Sequence, residues 1–272
     1  MASEQNKRVS LLGIQLDLLT MEETLARVEQ IILARHPEQH VVVNASKVNL
    51  IAKNKELQEI VNSCSLINVD GQSIVWAGRF LGFPVQERVT GIDLFSNLVK
   101  IAAKKGYRVY YFGAEEEVVE KVIQIHQETF PALKIAGYRN GYFEEEDSLS
   151  IAEEIRDSHA DILFVAFSSP KKEFWIHRYK EIMNVPFSMG VGGSFDIIAG
   201  KTKRAPSWMQ KIGLEWFYRF LQEPRRMFRR YLLGNLTFFK AGMEGETAWK
   251  IDNCNVYLGI SICFWRWLLF FL

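Results

Sequence analysis

Cysteine is scarce in this chain. Three among 272 residues, Cys64, Cys254 and Cys263, make an odd, scattered set without a CxxC pair, which excludes a disulfide scaffold. The five histidines show no HxxxH-type spacing, so no structural zinc is expected. Both absences point to a reducing compartment. The N-terminus, MASEQNKRVS, lacks the apolar run of a secretory leader, and none is predicted. Several nucleotide and nucleophile signatures are missing as well. There is no GxxxxGK[ST] loop, no GxGxxG opening a helix after a strand, and no GxSxG elbow. Nor is there a DxD, the usual metal–nucleotide clamp, so no metal and no cofactor is expected. No internal repeat or low-complexity stretch occurs.

What is present reads as a globular α/β chain. Apolar residues make up 48% and charged residues 24%, enough for a core without bridges or metals. Strand signals at 9–16, 40–44, 65–69, 107–113, 133–137, 161–167 and 186–192 alternate with helical periodicity over 21–34, 46–62, 73–81, 92–104, 115–129, 148–157 and 171–183. Continuous apolar strands between amphipathic helices predict a mostly parallel, Rossmann-like sheet covered on both faces. Ligands of such sheets bind outside the carboxyl ends of the strands. Asn44, Asp70, Gly113, Ser168–Ser169 and Gly190–Gly193 all fall at predicted strand ends, which should gather them on one rim.

The pattern changes after Gly200. Residues 201–230 hold nine Lys or Arg against only Glu215 and Glu223, a surplus of seven in a chain whose formal net charge is +1. A basic block on an acidic body implies a polyanionic partner. Residues 206–240 read as short helices rich in Arg and aromatics, and 241–255 as a polar linker. The last 17 residues, VYLGISICFWRWLLFFL, would reach only about 26 Å as a helix and carry Arg266 at their middle. That suits a membrane-interfacial segment better than a spanning one. The expected organisation is therefore a core over 1–205, a helical appendage over 206–240, and a linker with an apolar tail over 241–272.

Few positions look chemical. Asp70, in NVDG, is either an Asx-turn residue closing a strand or a carboxylate placed as a general base. Asn44 has the same two readings, cap or ligand. The glycines of MGVGGSFDIIAGKTKRAP let backbone N–H groups approach a phosphate. A tight turn alone would not explain Asp196, Lys201, Lys203 and Arg204 arriving within the same stretch. In GLEWFYRFLQEPRRMFRR, Arg226, Arg229 and Arg230 share a helical face between aromatics, a pattern for headgroups or for nucleic acid. Cys64 reads as core, and His126, His159 and His177 as helix or turn residues.

Seven ordered blocks carry a resemblance: NVDG, ERVTGID, YYFGA, GYF, SSPKKEFWI, GVGGSFDIIAGKTKRAP and GLEWFYRFLQEPRR. Together, over roughly residues 9–240, they resemble the WecG/TagA/CpsF family, glycosyltransferase family 26. The resemblance implies an inverting, metal-independent transferase on the cytoplasmic face of a bacterial membrane. Such an enzyme moves a sugar, N-acetylmannosamine or a related hexose or uronic acid, from a UDP donor to a polyprenyl-diphosphate-linked sugar. It makes Asp70 the base and Asn44 a rim residue, with Tyr142 and Asp196 at the nucleotide. It gives Arg219, Arg226 and Arg229 to an appendage closing over the lipid diphosphate. Arg88, Lys172, Gly192, Gly193 and Arg204 complete the expected substrate-binding set. Two departures stand out: Val42 where the family often has Thr, and Lys172 where its PKQE has Gln. The partners expected are the donor, the lipid-linked acceptor and the membrane surface, with no nucleic acid and with self-association left open. The alternative is a non-catalytic membrane adaptor, which would have no reason to bind UDP.

Overall fold

The computed structural model describes residues 8–222, apart from Leu12, Leu81, Ile212 and Gly213. Arg226, Arg229 and the apolar tail lie outside the described residues.

The chain opens with β1 (Arg8–Leu11), β2 (Ile14–Asp17) and α1 (Met21–Ala34). A capping box starts α1: the Thr20 hydroxyl accepts from the Glu23 amide, and the Glu23 carboxylate accepts from the Thr20 N–H. Next come β3 (Glu38–Val43), α2 (Ala45–Ile51), α3 (Lys55–Asn62), β4 (Leu66–Val69), α4 (Gln72–Phe80) and α5 (Gly91–Lys105). The second half runs β5 (Arg108–Gly113), α6 (Glu116–Thr129), β6 (Lys134–Arg139), α7 (Ser148–Asp157), β7 (Ile162–Ala166), α8 (Lys171–Met183), β8 (Phe187–Gly190) and α9 (Ser194–Ile198). Two short helices, α10 (Ser207–Lys211) and α11 (Glu215–Gln222), close the described chain.

Two expectations are corrected. The stretch 9–16 is a hairpin rather than one strand: β1 pairs antiparallel with β2, Leu11 opposite Ile14. Gly13, at φ +73°, makes the turn. The span 46–62 is two helices, because Asn54 caps α3 and accepts from the Leu57 amide at 2.9 Å.

The strands form one sheet in the order β1-β2-β4-β3-β8-β7-β5-β6. Only β1 runs antiparallel to its neighbour. Alternate residues feed opposite layers, as a pleated strand requires. Val109, Tyr111, Ile162 and Phe164 pack against α1, α5 and α6. On the other face Tyr110, Phe112, Leu163 and Val165 pack against α7 and α8. Val41, Val43, Ile67 and Val69 meet α2, α3 and α4. The expected α/β class, with helices on both faces, is what the chain adopts.

Candidate active site

The carboxyl ends of β4, β3, β8, β7, β5 and β6 follow one another along a single edge, a rim about 24 Å long at the usual strand spacing. Asp70 follows β4, Asn44 follows β3, Gly190–Gly193 end β8, Ser168–Ser169 follow β7, Gly113 ends β5 and Tyr142 follows β6. The rim expected from the strand ends is therefore assembled.

The half at β4 and β3 is tightly knit. The Asp70 amide donates to the Val43 carbonyl at 2.9 Å, setting Asp70 beside Asn44. Asn44 is a cap as far as its Oδ1 is concerned, accepting from the Lys47 amide at 3.1 Å at the start of α2. The Val89 amide donates to the Val69 carbonyl at 2.9 Å, which lays the loop carrying Arg88 along the same end of β4.

At the far end Tyr142 is 72% exposed, its backbone amide donating to Asn140 Oδ1 at 2.9 Å. Gly192 and Gly193 lie in the turn between β8 and α9, and Asp196 sits on α9 above them, its carbonyl accepting from Thr202 N. Arg219 lies on α11. Among the described residues no histidine stands on the rim. His126 is buried against the Tyr111 hydroxyl at 2.8 Å, and Cys64 is buried, its thiol pushed up to about 12 mainly by desolvation.

Residues 9–246 match the model of the glycosyl transferase WecG/TagA/CpsF family. Three relatives carry the name N-acetylglucosaminyldiphosphoundecaprenol N-acetyl-beta-D-mannosaminyltransferase. One from Bacillus spizizenii is 35% identical over 80% of this chain and 85% of its own. Another, from Bacillus subtilis, is 37% identical over 64% and 67%, and one from Staphylococcus aureus 31% identical over 82% and 87%. The chain belongs to the WecG/TagA/CpsF glycosyl transferases.

In this glycosyl transferase two charged clusters support the rim. Arg204 grips Asp93 bidentately at 2.6 and 2.8 Å, while Thr90 donates to the same carboxylate at 2.5 Å. Burial pushes Asp93 up, but Arg204, Thr90 and Arg88 outweigh it and hold the carboxyl below its ordinary range. Glu215 of α11 lies 3.7 Å from Arg88 and 3.6 Å from Arg204. Two of the expected substrate ligands, Arg88 and Arg204, thus also moor α11 to the core.

The second cluster was not anticipated from sequence. Glu173 is buried at the start of α8, where its Oε1 takes Lys47 of α2 and the Ser169 hydroxyl at 3.0 Å, with Lys172 at 3.7 Å. Desolvation raises its carboxyl; Lys47 and Lys172 overcome that and hold it below the ordinary value. Lys172 itself does not reach into solvent. It is 12% exposed, and its stem crosses the β8 terminus so closely that a Cβ on Gly190 would meet Lys172 Cδ at 2.6 Å. The only signal for Lys47 in the sequence was a cation on an apolar helical face.

Proposed function

We propose that this glycosyl transferase moves a sugar from a UDP donor to a polyprenyl-diphosphate-linked sugar, with inversion and without a metal. The donor sugar favoured is N-acetylmannosamine, the sugar in the relatives' names. The observation that carries the reading is the rim, where Asp70 and Asn44 at β4 and β3 stand next to the glycine turn and Lys172 at β8. A base and a phosphate cradle two strands apart suit an acceptor hydroxyl meeting a donor diphosphate.

Asp70 takes the proton of the acceptor hydroxyl as that oxygen attacks the anomeric carbon. The bond from that carbon to the β-phosphate oxygen breaks, and its electron pair leaves with UDP. Charge growing on the diphosphate is met by Lys172, the arginines and the backbone N–H groups of Gly192 and Gly193, which are preorganised donors. Asp196 and Tyr142 flank the nucleotide. Residues 1–205 act as the catalytic core and 206–240 as an appendage carrying Arg219, Arg226 and Arg229 to the lipid diphosphate.

Membrane docking at the cytoplasmic face is peripheral in this reading. Trp208, Phe217 and Leu221 are 60%, 39% and 59% exposed on α10 and α11, beside the basic block, a pairing suited to acyl chains and headgroups. Among the described residues no helix is long and apolar enough to cross a membrane.

The test is UDP release from a panel of UDP-sugars with a lipid-diphosphate N-acetylglucosamine acceptor, with and without EDTA. Release with UDP-N-acetylmannosamine, unaffected by EDTA, is expected. A strict need for a divalent cation would remove the metal-independent step. No release and no UDP binding would leave the adaptor.

A further inference from the structure

The buried charges beneath β3, β7 and β8 reach beyond substrate contact. A carboxylate as deep as Glu173, whose side chain is 1% exposed, is costly unless paired and hydrogen-bonded. Among the described residues its side-chain partners converge on one oxygen. Lys47, Ser169 and Lys172 all meet Oε1, while Oε2 is buried and accepts no hydrogen bond among the described residues. Glu173 is fixed from several sides. Gln39 Nε2 donates to its carbonyl at 3.2 Å, and Lys47, 5% exposed, rises from the α2 turn that Asn44 caps.

The consequence falls on Lys172. A lysine side chain is ordinarily hydrated and loses considerable rotamer freedom when fixed. This one is folded over Gly190 and brings its ammonium to Gly192, where a Cβ would lie 3.4 Å from Nζ. Any side chain on Gly190 would occupy the place of the stem. A charge held still at the mouth of a glycine turn is preorganised for an anion.

We infer that Lys47 and Glu173 are positioning residues of the donor site. The buried pair sets the Lys172 ammonium over the Gly190–Gly192 turn as the cation that holds the donor diphosphate. The inference rests on the UDP-donor reading above. It also gives the two halves of the rim a shared support, since Asn44, next to Asp70, caps the helix that carries Lys47.

The experiment uses the full chain and measures UDP binding by calorimetry, with thermal unfolding as a fold check. Lys47→Met/Glu173→Met removes the pair without leaving one buried charge alone, an exchange folds often tolerate. Lys172→Met removes the cation directly. Each should weaken UDP at least about tenfold, the scale of a charge-assisted hydrogen bond. The triple variant should be no weaker than either, because pair and cation act as one unit, and Lys172→Arg should recover part of the affinity. A folded pair variant that binds UDP within twofold of the wild type overturns the positioning role. So does a triple variant whose loss is the product of the other two. If the pair variant fails to fold, Ser169→Ala decides: the Glu173 carboxylate loses one hydrogen bond but keeps both ammoniums, about threefold weaker UDP is expected, and an unchanged affinity overturns the proposal. A wild-type protein that binds no UDP sinks the donor reading and this inference together. Tight wild-type binding with indifferent variants sinks the positioning alone.

Discussion

The two charged clusters at the rim are built differently. Lys47, Glu173 and Lys172 are nearly sealed, with 5%, 1% and 12% of their side chains exposed. Arg88, Arg204 and Asp93 are more open, at 18%, 24% and 40%, around a buried Glu215. Burial strengthens a Coulomb pair and raises the penalty for breaking it. The sealed cluster can therefore fix an atom in place. The open one, two arginines with two carboxylates, ties α11 to the core by interactions that water already weakens. Similar charges serve as a strut in one place and as a mooring in the other.

The largest effect should come from Asp70, the base of the proposed reaction. Asp70→Asn should lower turnover roughly 10²–10⁴-fold, the scale of a lost general base, with UDP affinity and thermal unfolding unchanged. Full turnover at saturating substrates would remove Asp70 as the base.

Next in size is the sealed cluster itself. Glu173→Ala strands Lys47 in the interior and should cost about 3–5 kcal/mol in urea unfolding. A loss under about 1 kcal/mol, the level of exposed pairs, would erase the difference between strut and mooring.

Acid should separate buried neutral groups from buried charges. Burial lowers His40 to about 4, although its hydrogen bond to Asn68 favours the charged form. Asn68 Nδ2 donates to Thr24, so Asn68 Oδ1 accepts from His40 Nε2. Between pH 6.5 and 4 the unfolded chain binds the proton and the folded chain does not. The stability from neutral His40 is complete above pH 6.5 and falls toward pH 4, on the order of 3 kcal/mol. His126, also lowered to about 4 by desolvation, adds in the same window. Asp93 and Glu173 are depressed instead, so their contribution persists through that window and is lost only as pH falls below the ordinary carboxylate range. Urea unfolding against pH should show the decline in wild type and a shallower one in His40→Gln. Equal slopes would place the titration elsewhere.

How much of this was legible in the sequence follows from distance along the chain. Asn44 and Asp70 announce themselves because an apolar strand stops at each, and the parallel sheet then brings them together. The helices over 148–157 and 171–183 match their predicted spans because period and breakers agree there. The hairpin at Gly13 was hidden by uninterrupted apolar alternation on both sides of the turn, and the break at Asn54 by a periodicity that resumes in phase. Lys47 and Glu173 were illegible for another reason. They lie 126 residues apart, and a charged residue on a helix ordinarily marks a solvated face. Only the crossover that sets β3 beside β8 makes them neighbours.

The smallest effect should come from Glu215→Gln, and it tests the mooring most directly. The amide keeps the shape of the side chain and removes its charge. Arg204 keeps its bidentate hold on Asp93, and Arg88 keeps the Gln210 carbonyl at 3.5 Å, so neither guanidinium is stranded. Unfolding free energy should fall by about 1 kcal/mol or less. Glu215 also competes with any incoming anion for Arg88. Without that carboxylate, inorganic pyrophosphate should bind about two- to fivefold more tightly, the affinity equivalent of a weak pair, with a steeper dependence on salt. Unchanged pyrophosphate affinity would take Arg88 out of the substrate set and leave it as an anchor for α11. A loss of 3 kcal/mol would make Glu215 a strut like Glu173, and the contrast between the two clusters would collapse.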